Sequence, residues 1–141
     1  MDYFCEAGEM TWFRLISPAE AEAEGQAMDH AVDRYFKSAY QDALDSYVPP
    51  VGLSRIEQNI GLKGHIARAM PKFLTLRDNE GTPCVTAMLP PDNEQSRAMA
   101  PIIVARKNSD PYVMFSDAID ALSSHIGEPL DPSVCYPYRR D

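Results

Sequence analysis

Apolar residues recur as adjacent pairs every four positions between residues 27 and 48, and this pattern predicts one long amphipathic helix over residues 17–48. Ser17 and Glu20 have the spacing of a capping box, and Pro18 takes the first helical position, where no backbone N–H is needed. The two prolines that follow Val48 end the helix, because proline cannot continue it. The pairs are Ala27 and Met28, Ala31 and Val32, Tyr35 and Phe36, Ala39 and Tyr40, Ala43 and Leu44, and Tyr47 and Val48.

The second half of this predicted helix is apolar over a wide arc, since Phe36, Tyr40 and Leu44 lie beside the main stripe. The arc either packs between two layers of the protein's own fold or offers Phe36 and Tyr40 to a partner. The carboxylates along the same segment are either solvated or face something basic. These carboxylates are Asp29, Asp33, Asp42 and Asp45.

Residues 53–72 are predicted to form two short helices joined by a tight turn. Ser54 is placed to cap the first helix, Gly61 to end it and Pro71 to stop the second. This spacing is similar to that of a helix-turn-helix, whose basic side chains contact phosphates. The other interpretation is a structural corner with solvated bases. The candidate nucleic-acid contacts are Lys63, His65, Arg68 and Lys72.

Alternating apolar and polar residues predict one early strand and two β-hairpins. The early strand covers residues 11–16, the first hairpin residues 73–89, and the second hairpin pairs residues 100–106 with 112–115. Ser116 then caps a closing helix that stops at Gly127. The predicted fold class is therefore α+β, with an antiparallel sheet of four or five strands and helices packed on one face.

The 141 residues are most simply one domain, with a loose leader at residues 1–9 and an extended, proline-rich tail at residues 127–141. The tail either presses against the body or acts as a binding strip, because aromatic residues and arginine contribute strongly at interfaces. The candidate contacts in the tail are Tyr136, Tyr138, Arg139 and Arg140.

Charge and cysteine content narrow the classes of function. The net charge is −8, with two acidic stretches on either side of residues 51–77, which carry five bases against one acid. Such a balance disfavours long-range attraction to nucleic acid or to an anionic membrane. Three widely spaced cysteines indicate reduced thiols and predict a cytosolic protein, and neither a signal peptide nor a membrane span is predicted.

Side chains that could do chemistry are few and scattered. Asp29, His30 and Asp33 fit a polar helix surface better than a metal site. Cys84 with a histidine base, either His65 or His125, is possible on residue type alone, but a buried strand cysteine explains it as well. We therefore predict no catalytic residues, no cofactor and no metal.

The function predicted from these observations is a non-enzymatic acidic protein that binds and regulates or inhibits a protein partner. One candidate partner is a nucleic-acid-handling complex, since acidic side chains can occupy a basic groove in place of phosphates, as in phage or plasmid counter-defence proteins and immunity-type factors. The alternatives are a DNA- or RNA-binding regulator that uses residues 53–72, and a small enzyme with an unrecognised site.

Overall fold

A computed structural model describes residues 1–91 and 99–137, and within them the chain has the expected α+β class, with a five-stranded antiparallel sheet. The sheet order is β1-β2-β3-β4-β5, so each strand pairs with its neighbour in sequence. The elements are β1 (Asp2–Ala7), β2 (Met10–Arg14), α1 (Pro18–Met28), α2 (Val32–Ser46), α3 (Arg55–Ala69), β3 (Lys72–Arg77), β4 (Pro83–Leu89), β5 (Ile102–Ala105) and α4 (Tyr112–Ile126).

The two faces of the sheet carry different helices. On β3, Leu74 and Leu76 belong to the core that α4 covers, whereas Phe73, with the opposite pleat, belongs to the core under α1 and α2. Thr75 shares the side of Phe73 and lies opposite Thr86 of β4. The prediction that all helices pack on one face was wrong, because both faces of the central strands carry side chains that must be covered.

Helix α4 covers the first face through Ala118, Ile119 and Leu122, as the pattern predicted. Trp12, the single tryptophan, is fully buried there and donates from Nε1 to the carbonyl of Ala118 at 3.0 Å. Gly127 ends the helix in the left-handed region.

The predicted fifth strand at residues 112–115 is instead the first turn of α4. Asp110 explains the difference, because its carboxylate accepts the backbone N–H of Tyr112 at 2.8 Å and so satisfies a free donor at the helix start. Val113 and Met114 follow a β-favouring pattern, yet their side chains are exposed. The second hairpin is therefore absent from the described residues, and the fifth strand of the sheet is β1.

The long helix predicted for residues 17–48 is broken in two, and this prediction was wrong. Helix α1 ends at Met28, Asp29 adopts φ 53° and ψ 56°, and α2 starts at Val32. Aspartate tolerates this left-handed conformation better than most residues. Gly25 permits the sharp corner, since a Cβ there would lie 3.0 Å from the carbonyl oxygen of His30. The paired apolar columns fit either arrangement, so periodicity alone did not reveal the corner.

Residues 53–72 do not form a pair of helices either. Ser54 and Glu57 make both bonds of a capping box, as the start predicted, but α3 then runs through Gly61 and Gly64 to Ala69. Gly61 does not end the helix and instead makes room for Tyr47, since a Cβ there would lie 2.6 Å from the tyrosine oxygen. Tertiary packing therefore replaces the expected turn.

Residues 2–7 of the predicted leader and Tyr136 of the predicted tail both pair with strands of the sheet. Residues 2–7 form β1 at one edge of the sheet, with Cys5 and Ala7 buried. At the other edge Tyr136 accepts a hydrogen bond from Ile103 N at 2.9 Å and donates to the carbonyl of Pro101 at 2.8 Å. Among the described residues no helix has both the length and the apolar character needed to cross a membrane.

Candidate functional site

A fully buried carboxylate, Glu24 of α1, lies against the centre of the sheet. It accepts hydrogen bonds from the hydroxyls of Thr75, at 3.0 Å, and Thr86, at 2.6 Å. Arg77 donates to it from Nη2 at 2.8 Å and to Thr75 from Nε at 3.0 Å. Every partner comes from the pleat that faces α1, so the alternation of β3 and β4 builds the site.

His30, in the corner between α1 and α2, completes this network. Thr86 donates its one hydroxyl proton to Glu24. In the contact of 3.0 Å between the Thr86 oxygen and Nε2 of His30, the histidine must therefore be the donor. Nδ1 is then free to accept the backbone N–H of Val32, at 3.4 Å. Burial lowers the pKa of His30, although Glu24, Asp33 and Asp29 oppose that shift, and the lowered pKa favours the neutral ring.

A cavity of about 230 Å³ opens beside this network, between the start of α2 and the strands β3, β4 and β5. His30 and Thr86 form its polar end, and exposed Tyr35 and Tyr136 lie among its remaining, mostly apolar, lining. We refer to it as the His30 cavity. Its mixed lining resembles that of small-molecule sites, which are largely apolar with a few placed polar groups.

The second notable feature is α3, which runs antiparallel to α2. The later half of α3 contacts the end of α2, since Nε2 of His65 lies 3.0 Å from the carbonyl oxygen of Ala43 and 2.9 Å from the hydroxyl of Ser46. The ring of Tyr47 lies 5.3 Å from that of His65. These contacts with the end of α2 come from Gly61 and His65, whereas residues 55–60 of α3 are each exposed in the described structure.

Residues 55–60 of α3 are exposed. Within the described structure, no side chain of this helix is fully buried. Ile56 and Ile60 lie four residues apart on one face and are 72% and 67% exposed. Val48 and Val51, in the preceding connection, are 83% and 101% exposed. Where such side chains form one contiguous patch, they mark an interaction surface.

Comparisons with protein-family models, curated proteins and solved structures found no significant match. The site must therefore be interpreted from its own geometry.

The anchoring of α3 can be tested with its two glycines. Gly61→Ala should lower the free energy of unfolding by about 1–3 kcal/mol, because the added methyl displaces Tyr47 from the α2–α3 contact. Gly64→Ala is the matched control, since its nearest neighbour at 3.1 Å is the flexible end of Arg68, and it should stabilise by about 0.5–1 kcal/mol through helix propensity. Urea unfolding measures both. A shift of the two variants in the same direction would contradict this account.

The predicted partner contacts on α2 are only partly available. Phe36 is 1% exposed and belongs to the core, so its assignment to a partner surface was wrong. Tyr40 is half-buried and lines a cleft of about 300 Å³ between α2, α3 and the end of β2, together with Phe36 and Lys63. The wide apolar arc is thus used mainly inside the fold.

The four predicted acidic contacts do not form one continuous surface. Asp29 lies in the corner, and Asp33 is half-buried beside Gly25. Asp42 and Asp45 are exposed further along α2, and nine residues of helix place Asp42 on the opposite side from Asp33. That Asp42 and Asp45 imitate the phosphates of a nucleic acid remains a prediction.

The candidate nucleic-acid contacts are also dispersed. His65 binds the end of α2, and Lys72 belongs to β3 rather than to a helix. Lys63 and Arg68 are exposed, but five residues separate them by about 140° around α3. A single helix replaces the expected helix-turn-helix, so nucleic-acid binding by this segment stays a prediction without its motif.

In the tail, Tyr136 lies at the His30 cavity and is 46% exposed, whereas Tyr138, Arg139 and Arg140 lie outside the described residues. Burial raises the pKa of the Cys84 thiol, which makes it a weak nucleophile at neutral pH. His125 packs edge-on against Phe4, away from the partners of His65. In the described part of the chain, no three His, Cys, Asp or Glu side chains are grouped to hold a metal ion.

Sequence reasoning missed Glu24, Thr75, Thr86 and Arg77. A usable signal was present in the hairpin, because the two threonines alternate with the apolar residues of β3 and β4. A polar residue at the centre of both strands of a buried hairpin requires a polar partner. The identity of that partner, one of three alternating glutamates, was not specified by the sequence.

Proposed function

We propose that this protein is a non-enzymatic regulator or inhibitor that binds a protein partner through residues 55–60 of α3. The exposure of Ile56 and Ile60 on a helix without buried side chains carries this proposal. Most helical stability in proteins comes from packing of an apolar face, and in α3 Ile66 and Ala69 of the later part pack against the core, whereas Ile56 and Ile60 are exposed. A partner would supply the missing contacts.

The arrangement is typical of an amphipathic helix that enters a groove on its partner. Ile56 and Ile60 have the i, i+4 spacing of the apolar anchors of such helices. Arg55 and Lys63 are exposed on either side of the isoleucines along the chain, with Glu57 as the one acid of residues 51–77. These charges favour an apolar groove whose rim carries carboxylates.

The proposal is tested by capture from a lysate of the organism that encodes the protein, followed by titration of the captured partner. Ile56→Asp combined with Ile60→Asp should weaken the complex at least 10-fold, roughly the effect of losing one interface hot spot. Both side chains are exposed, so the fold should survive, which circular dichroism checks.

Val113→Asp combined with Met114→Asp is the matched control, because these apolar side chains of α4 are 84% and 80% exposed. The control should bind like the unmodified protein. Equal weakening by both double variants, or a partner whose affinity neither changes, would contradict the assignment of residues 55–60. Failure of the unmodified protein to capture any partner would contradict the proposed function.

A further inference from the structure

We infer that the His30 cavity binds a small neutral aromatic molecule that carries one N–H or O–H donor, with an indole as the type of ligand. This goes beyond the proposed function and depends on different residues. It rests on the volume of the cavity, on its lining and on the hydrogen bonds that fix its polar end.

Volume and lining specify the body of the ligand. A cavity of about 150 Å³ accepts benzene, so about 230 Å³ has room for a two-ring aromatic. The residues around it are chiefly flat or apolar, which suits an aromatic body better than a sugar or a phosphate. They include Tyr35, Phe73, Met88, Ile102, Val104 and Tyr136.

The buried network specifies the polar group of the ligand. Thr86, which is 4% exposed, gives its proton to Glu24 and receives one from His30. A hydroxyl has two lone pairs, so one acceptor position is left on Thr86 after these two contacts. The protons of His30 Nε2 and of the Thr86 hydroxyl are both committed, so a ligand group that contacts Thr86 must supply the donor.

The charges behind Thr86 also select against anions. Glu24, Asp29 and Asp33 all lie near enough to His30 to influence its protonation. Arg77 pairs with Glu24 at 2.8 Å, and the carboxylates of Asp29 and Asp33 also act on His30 at this end of the cavity. A carboxylate or phosphate on the ligand would be repelled here, whereas an uncharged ring would not.

Titration with indole and with benzofuran, followed by amide NMR shifts, tests the inference. Benzofuran has nearly the same shape but an oxygen where indole has N–H, so it should bind roughly 3- to 10-fold more weakly. The shifts should centre on residues around the cavity, such as Val32 and Val104. Equal binding of the two compounds, shifts elsewhere, or no binding at millimolar concentration would overturn the inference.

Two threonine variants identify the acceptor. Thr86→Val should abolish the preference for indole over benzofuran, and Thr75→Val should keep it, because Thr75 also donates to Glu24 but does not line the cavity. Each variant removes one hydrogen bond to the same carboxylate, so their losses of stability should be similar. Loss of the preference in both variants would contradict a direct contact with Thr86. If either variant fails to fold, the comparison of ligands on the unmodified protein still decides.

Discussion

Replacing Glu24 by alanine is expected to lower the free energy of unfolding by about 3–5 kcal/mol, because it breaks a buried ion pair from one side. Arg77, whose side chain is only 18% exposed, would lose its carboxylate partner. The hydroxyls of Thr75 and Thr86 would lose their acceptor in the same step. Urea unfolding followed by circular dichroism gives the difference, and Glu24→Gln provides a milder variant if alanine prevents folding.

Glu22→Ala is the control for this substitution. Glu22 is in the same helix and pairs with Lys37 at 3.4 Å, but the two side chains are 53% and 49% exposed. Such surface pairs contribute about 0–1 kcal/mol. Similar losses from the two variants would show that the buried network has no special role in stability.

The buried pair of Glu24 and Arg77 is better explained by its effect on the orientation of its neighbours than by a net contribution to stability. Replacing Glu24 and Arg77 together by methionine should recover much of the loss, since apolar side chains can substitute for a buried ion pair. The same double variant would leave Thr86 without its acceptor and His30 without a fixed orientation. We therefore expect a stable protein whose preference for indole is lost.

Phe36→Ala is expected to lower the free energy of unfolding by about 3–5 kcal/mol, because it opens a void in the core under α1 and α2. The ring of Phe36 meets Phe73 edge-on, with centroids 5.0 Å apart, and stacks on Tyr40 at 6.1 Å. Thermal or urea unfolding measures the loss. Any effect of this variant on partner binding should follow the fraction of unfolded protein.

Tyr35 supplies the matched aromatic control for Phe36. It is the preceding residue of α2 and is 62% exposed, so Tyr35→Ala should change stability by no more than about 0.5 kcal/mol. The sequence pattern gives Tyr35 and Phe36 as one apolar pair, and the difference in stability between the two alanine variants distinguishes them. If Phe36→Ala left stability unchanged and weakened the complex directly, the prediction of Phe36 as a partner contact would be restored.

Only some residues of the candidate sites could be predicted from the sequence. Lys63 and Tyr136 were selected and do lie at a cleft and at a cavity, respectively. Ile56 and Ile60 were assigned to a short helix, and nothing in their spacing showed that α2 would stop too early to cover them. Glu24 was even harder to identify from the sequence, because Glu20 and Glu22 lie in the same helix and carry the same side chain. Only the helical rotation of about 200° over two residues separates Glu22 from the buried side.

The sequence by itself determined the local features of this protein: the helix starts at Ser17 and Ser54, the stop at Gly127, the hairpin of β3 and β4, and the α+β class. These depend on caps, turns and alternation, whose energies act between residues close in the chain. Only the tertiary structure decided where the long apolar segment bends, which glutamate is buried and which face of α3 stays exposed. Those outcomes depend on contacts between distant elements, and a periodic pattern that fits a straight helix and a bent one equally well cannot distinguish them.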